Sequence, residues 1–263
     1  MGPGLRGPRG KAPRAVRRWW LLENFYRKGH KAERVFCRSM PGSRGKHGNR
    51  MRLIAENLGM ARGGRRLLAG CSFALGPGEA LAVTGPNGAG KSSLLRAIAG
   101  LLPLAAGTVL YEPSGEASLA EQAHYLGHAN ALKPSLTARE NLDFWAALLA
   151  APAGGERHTA AEALAAFGLA HIADLPCAYL SAGQKRRTAL ARLLVAPRPL
   201  WLLDEPAAGL DAASQALLEA AIRAHRASGG LVIAALHAPL DIGPLAALAL
   251  GGASPAKSPK AVL

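Results

Sequence analysis

Eight consecutive residues, Gly85-Pro86-Asn87-Gly88-Ala89-Gly90-Lys91-Ser92, fit the spacing G-x-x-x-x-G-K-[ST] without a gap, and Ser93 follows them. That spacing suits the holding of a polyphosphate. Glycine carries no Cβ, so backbone N–H groups can turn inward and approach an anion closely. A helix opening at Lys91 adds the positive end of its dipole. The Lys91 ammonium is expected on the β- and γ-phosphates of ATP, and the Ser92 hydroxyl beside Mg²⁺. Further along, Leu200-Trp201-Leu202-Leu203 runs into Asp204-Glu205-Pro206. Two carboxylates at the end of an apolar run suit two tasks. Asp204 is expected beside Mg²⁺, and Glu205 near the water that attacks the γ-phosphate, polarising it as a base.

Such residues need elements that bring them together. Arg52 to Leu58 and Leu67 to Leu75 read as strands around a Gly63-Gly64 turn. Glu79 to Thr84 reads as a short buried strand that feeds the Gly-rich loop, and Lys91 to Gly100 as a helix stopping at glycine. Residues 107–111 and 123–127 read as strands. Residues 137–180 read as mostly helical, with Leu142, Trp145, Ala146 and Leu149 at i, i+3, i+4 and i+7. Leu200 to Leu203 and Leu231 to Leu236 are continuous apolar runs, as central parallel strands require. A helix over Ala212 to Ala227 joins them into a β-α-β unit. The loop at the end of one strand and the carboxylates at the end of another then meet at one edge of an α/β sheet, where ligands of such sheets bind.

The chain has 263 residues and a formal net charge of +15. That charge first suggests nucleic acid or an anionic surface. Residues 1–50 alone hold 14 Lys and Arg against Glu23 and Glu33, while residues 51–263 hold 18 basic and 15 acidic side chains. The basic segment is rich in Gly, Pro and Arg and is expected to be disordered. It reads as an extension whose charge density breaks off at Met51, either a basic arm or upstream sequence before a true start at Met51; the scattered Trp19, Trp20, Phe25 and Tyr26 favour the second. Residues 51–263 form the expected folded domain, with a frayed tail after Gly251. Cys37, Cys71 and Cys177 form no C-x-x-C pair, so neither zinc nor a disulfide framework is indicated, and a reduced cytosolic setting fits. No run reaches the roughly 18 to 20 apolar residues that span a bilayer.

Leu180-Ser181-Ala182-Gly183-Gln184 resembles the LSGGQ signature of the ABC ATPases, with Ala182 in place of the first glycine. The resemblance covers residues 53 to 250. It implies a P-loop NTPase of the ABC type, an α/β fold with a mixed β core and a helical subdomain at about 129–180. It also implies a homodimer with two ATP molecules between the chains, Ser181, Ala182, Gly183 and Gln184 of each serving the γ-phosphate held by the other. Ala208-Gly209-Leu210-Asp211 is similar to the family's D-loop, and His237 to its switch histidine at the γ-phosphate. Two positions depart from the pattern. His128, in Tyr125-Leu126-Gly127-His128, stands where the family has the Q-loop glutamine, and imidazole is a poorer Mg²⁺-shell ligand than an amide oxygen. Met60, Ala61, Arg62 and Gly63 stand where an aromatic residue usually stacks on adenine, a place Arg62 would have to take.

The departures point to a narrower resemblance. The run from Tyr125 to Leu142, YLGHANALKPSLTARENL, together with the LSAGQ-type signature, is similar to the ATP-binding subunits of the cytochrome c maturation system, the haem exporter ATPases. That resemblance implies integral membrane subunits as partners and a haem chaperone as an indirect one. It implies a peripheral place on the cytoplasmic face of the bacterial inner membrane, and haem export or release of a haem-loaded chaperone as output. C-x-x-C-H is absent, and His124 and His128 read as ATPase residues rather than haem ligands. Three other readings stay open: a transport ATPase for another cargo, a nucleic-acid- or ribosome-associated ABC ATPase, and an ATP binder without turnover. Against the second stand the single phosphate loop and the short stretch between His128 and Leu180, which has no room for a long coiled coil; no nucleic acid is expected. Against the third stand Lys91, Asp204, Glu205 and His237 together.

Overall fold

The computed structural model describes residues 51–62, 65–112, 118–149 and 157–251. The expectations for residues 1–50, for the Gly63-Gly64 turn and for the tail after Gly251 lie outside the described residues. Apolar runs make the centre. Five strands, β3 (Ala80–Thr84), β5 (Ala123–Leu126), β6 (Leu200–Asp204), β7 (Leu231–Ala235) and β8 (Ala246–Ala249), form one parallel sheet in the order β5-β6-β7-β3-β8. Side chains alternate across a strand, and here the alternation feeds two separate cores. Ala80 and Ala82, Trp201 and Leu203, and Val232 and Ala234 enter one; Leu81 and Val83, Leu200 and Leu202, and Leu231 and Ile233 enter the other. A sheet buried on both faces needs no polar alternation, which is why these strands read as solid apolar blocks.

The first core is closed by α5 (Ala182–Val195) and α6 (Ala212–Ala227), with α3 (Ala138–Leu148) and α4 (Ala160–Ala166) packed on α5. The second core is closed by α1 (Lys91–Ile98) and by an antiparallel sheet, β2-β1-β4, of β1 (Arg52–Arg62), β2 (Arg65–Leu75) and β4 (Ala106–Glu112). In β1 the inward positions change from odd to even, Leu53 and Ala55 giving way to Leu58 and Met60. A bulge at Glu56 and Asn57 makes the change, with Asn57 at φ 49°. Opposite it stands Gly107, where a Cβ would come within 2.2 Å of the Glu56 carbonyl oxygen, so only glycine fits.

The helix over Ala212–Ala227 and the strands at 200, 231 and 107 match the sequence-based expectation closely. Two elements were not expected, α2 (Leu119–Gln122) and β8. The sequence of β8 is Ala-Ala-Leu-Ala, with Leu248 its only buried side chain, so it is a strand because β3 pairs with it from Leu81↔Ala246 to Thr84↔Ala249. Residues 137–180 are less helical than expected. After α4 they make only single 3₁₀ turns at Ala170–Ile172 and Cys177–Tyr179. Gly168 turns out of α4 at φ 67°, and Pro176 disfavours helix in the residue before it.

The loop that enters α3 is held by one buried amide. Asn141, on α3, accepts from the Lys133 N–H at 2.8 Å and donates to the carbonyls of Lys133, Leu136 and Thr137. Trp145 on the same helix donates to the Ala131 carbonyl, and the Arg192 guanidinium of α5 lies over its ring at 4.5 Å.

Candidate nucleotide site

The loop from Gly85 to Gly90 leaves the C-terminal end of β3 and opens α1, as strand-loop-helix phosphate binding requires. Gly85 and Gly90 have φ 137° and 97°, conformations that L side chains avoid. A Cβ on Gly85 would also lie 2.3 Å from the Leu250 carbonyl oxygen, just past the end of β8. The unexpected strand β8 therefore backs the start of the loop. Pro86, Asn87 and Gly88 are exposed, while Ala89 is buried under the loop. Lys91 is 6% exposed and curls back so that Nζ donates to the Gly85 carbonyl at 2.7 Å and the Pro86 carbonyl at 3.1 Å. The ammonium is thus poised at the mouth of its own loop, on neutral acceptors that a phosphate oxygen outcompetes.

Parallel pairing brings the carboxylates to the same edge. The Ser92 hydroxyl donates to Asp204 Oδ1 at 2.9 Å. The Tyr125 hydroxyl is 3.4 Å from Asp204 Oδ2 and accepts from Arg96 Nε at 3.1 Å. Ser92 and Asp204 offer oxygen only, the donor set a hard cation prefers, and Mg²⁺ usually takes one or two protein carboxylates and completes its shell with phosphates and water. The pair fits that ion. Among the described residues no cluster of three or more His, Cys, Asp or Glu stands ready for a metal without such help.

Among the described residues Glu205 is one of three non-glycine residues at positive φ, at 49°. A conformation of that kind costs on the order of 1–3 kcal/mol and persists only where its surroundings fix it. Here the Glu205 N–H donates to the Ala235 carbonyl at the end of β7, and its own carbonyl accepts from the Ala208 N–H and from Arg186 Nη2. The bend turns the carboxylate toward His237, whose Nε2 is 2.7 Å from Oε1. His237 stands just beyond β7, on the strand neighbouring β6, so strand order places acid and imidazole together.

The remaining expected residues form a second group. Ser181 caps α5: its Oγ accepts from the Gln184 N–H at 3.2 Å, and Gln184 Oε1 accepts from the Ser181 N–H at 2.9 Å. Ser181 and Ala182 are exposed, and a Cβ on Gly183 would face the Gly209 carbonyl at 3.7 Å, so this end of α5 lies beside the turn before Asp211. Asp211 caps α6 by accepting from the Ser214 N–H at 2.8 Å, and hydrogen bonding from the Ser214 side chain and then from that N–H holds its carboxyl below the usual range. His128 is exposed in the loop after β5, and among the described residues it has no hydrogen-bond or ion-pair partner.

Two further expectations meet the structure, and one of them changes. Met60 is a core residue at 1% exposure and is closed to adenine, while the Arg62 side chain lies outside the described residues. His124 is not an ATPase residue: alternation along β5 turns it to the face opposite Tyr125, against the Ala196 carbonyl, and burial beside Arg192 and Arg198 keeps it neutral, its pKa well below the ordinary imidazole value. Arg186, which no sequence motif singles out, is 5% exposed and contacts the carbonyls of Asp204, Glu205 and Pro206.

Residues 68–208 match the family model of the ABC transporter. The chain is 56% identical over 194 residues to the cytochrome c biogenesis ATP-binding export protein CcmA of Chelativorans sp. (strain BNC1), covering 73% of this chain and 94% of that protein. Proteins of the same name from Nitrobacter winogradskyi and Rhodopseudomonas palustris (strain BisB18) are 52% and 56% identical over 205 residues, 78% of this chain and the full length of each. Two solved structures share the fold: an ATP-binding subunit of an ABC transporter, with TM-score 0.61 and 24% identity over 70% of this chain and 79% of that one, and a putative ABC transporter ATP-binding protein from Pyrococcus furiosus, with TM-score 0.64 and 19% identity over 75% and 96%. The chain belongs to the ABC transporter family, as one of its ATP-hydrolysing subunits, and within it to the family of the cytochrome c biogenesis ATP-binding export proteins.

Proposed function

We propose that this chain is the ATPase of a membrane complex in cytochrome c biogenesis, where its turnover drives haem export or the release of a haem-loaded chaperone. The observation that carries this reading is the 52–56% identity to proteins of that printed name along 94–100% of their length. Lys91 exchanges the Gly85 and Pro86 carbonyls for the β- and γ-phosphates, and the N–H groups of residues 87–93 cradle them. Ser92 and Asp204 would hold Mg²⁺, which would supply charge neutralisation on the phosphates during transfer. Glu205 accepts the proton of the attacking water, and His237 keeps the carboxylate aimed until it meets the γ-phosphate itself.

The phosphate loop and the Ser181 end of α5 are both exposed, which supports a homodimer in which each covers the nucleotide of the other. No described helix is long and apolar enough to cross a membrane. Phe144, Tyr179 and Leu175, all in the 129–180 helical subdomain, are 52%, 81% and 47% exposed and offer apolar contact to integral membrane subunits. The chain then sits peripherally on the cytoplasmic face of the bacterial inner membrane, meets the haem chaperone only through those subunits, and needs no nucleic acid. Cells whose only copy carries Lys91→Ala are expected to load haem onto the chaperone yet lack mature c-type cytochromes, read by haem staining. Normal c-type cytochromes in that strain would leave a transport ATPase for another cargo.

A further inference from the structure

We propose that Arg186 is a positioning residue that ties the loop bearing His128 to the backbone of Glu205, so that the loop after β5 and the catalytic carboxylate move as one body. An arginine has five N–H donors, and here all five are placed. Nε donates to the Pro206 carbonyl at 3.2 Å. Nη1 donates to the Gly127 carbonyl at 2.9 Å and to Asn130 Oδ1 at 3.3 Å. Nη2 donates to the carbonyls of Asp204 at 3.2 Å and Glu205 at 2.7 Å. Two segments far apart in the chain, 127–130 and 204–206, are thus pinned to one rigid plane on α5, about one turn inside the helix that Ser181 caps.

The buried guanidinium forms no ion pair among the described residues, so backbone carbonyls are its chief compensation for leaving water. That arrangement is specific to the fork. A lysine ammonium keeps the charge but offers three donors from one point and cannot span both segments. The Glu205 carbonyl that Nη2 holds belongs to the residue bent to φ 49°, so losing the contact frees the bend that aims the carboxylate at His237. Gly127, on the other side, precedes His128 in the chain. A shift of the His128 loop therefore reaches Glu205 through a single side chain.

The inference rests on Glu205 being the base. In the full chain, Arg186→Lys and Arg186→Gln are expected to lower kcat for Mg-ATP at least tenfold while equilibrium ATP affinity per folded site changes less than threefold. Arg186→Lys added to Glu205→Gln should lower turnover no further, because residues that act as a unit are not additive. A merely structural role would instead lower the number of binding sites and melting temperature together, and would multiply with Glu205→Gln. A kcat within threefold of wild type in Arg186→Lys, or an independent loss in the double variant, overturns the proposal and leaves Glu205 untouched. Near-normal turnover in Glu205→Gln alone overturns the base assignment, and with it the role given to Arg186. Arg186→Lys keeps the charge and most of the stem, so it decides the matter if Arg186→Gln fails to accumulate.

Discussion

Glu205 concentrates the chemistry at the scale of the residue. Its carboxylate is bent out of β6 by a left-handed backbone, held from behind by Arg186 and the Ala235 carbonyl, and met in front by His237. Glu205→Gln keeps the shape and removes only the proton acceptor. Phosphate release is expected to fall at least a hundredfold, in the range seen when a single base or electrostatic group is lost, with ATP still bound and, if the proposed homodimer forms, the dimer trapped. Turnover near wild type would move the base to His237. What the sequence made legible here follows a pattern. The glycines, Lys91, Ser92 and the Asp204-Glu205 pair are tied to one short spacing each, so their place at one site can be read locally and the roles proposed for them follow from it. Arg186 and Tyr125 cannot be read that way, because their partners come from segments far along the chain that only folding assembles.

Elements were readable where composition alone decides them. Strands β6 and β7 hold the continuous apolar runs Leu200-Trp201-Leu202-Leu203 and Leu231-Val232-Ile233-Ala234-Ala235, and no other use of such runs at that length fits a β-α-β unit. Strand β8 and the 3₁₀ turns after α4 are decided by neighbours, which the sequence does not display. The packing of α6 on β6 carries a pH dependence of its own. His225 stacks on Trp201 with ring centroids 3.9 Å apart and planes 6° apart, and burial pushes its pKa down to about 4. In the unfolded chain it titrates near 6.5. Between those values the unfolded state binds the extra proton, so stability is full above about pH 6.5 and falls as the pH drops toward 4, by on the order of 3 kcal/mol. Buried His124 is lowered too and acts in the same direction. His225→Phe preserves the stack and cannot titrate. Urea melts of the two proteins from pH 7 to 4 are expected to show a slope shallower by about one proton in the variant. Equal slopes would mean that His225 is protonated in the folded protein.

As a whole molecule the chain separates two duties. One sheet edge gathers Lys91, Ser92, Asp204, Glu205 and His237, and the segment from 129 to 180 packs on α5 and exposes Phe144, Leu175 and Tyr179. Helix α5 serves both, since Arg186 reaches the site and Arg192 lies over Trp145 of α3. A motor of this form does its work on a separate partner, and energetic coupling requires that the partner alter the same states that the nucleotide alters. The most direct test is to express the chain with and without the integral membrane subunits of a cytochrome c maturation system, and to measure where it fractionates and how fast it hydrolyses ATP. The chain alone is expected to stay out of the membrane fraction and turn over slowly; with the subunits it should move to the membrane and its rate should change at least threefold. A chain that ignores those subunits, in both location and rate, would contradict the account.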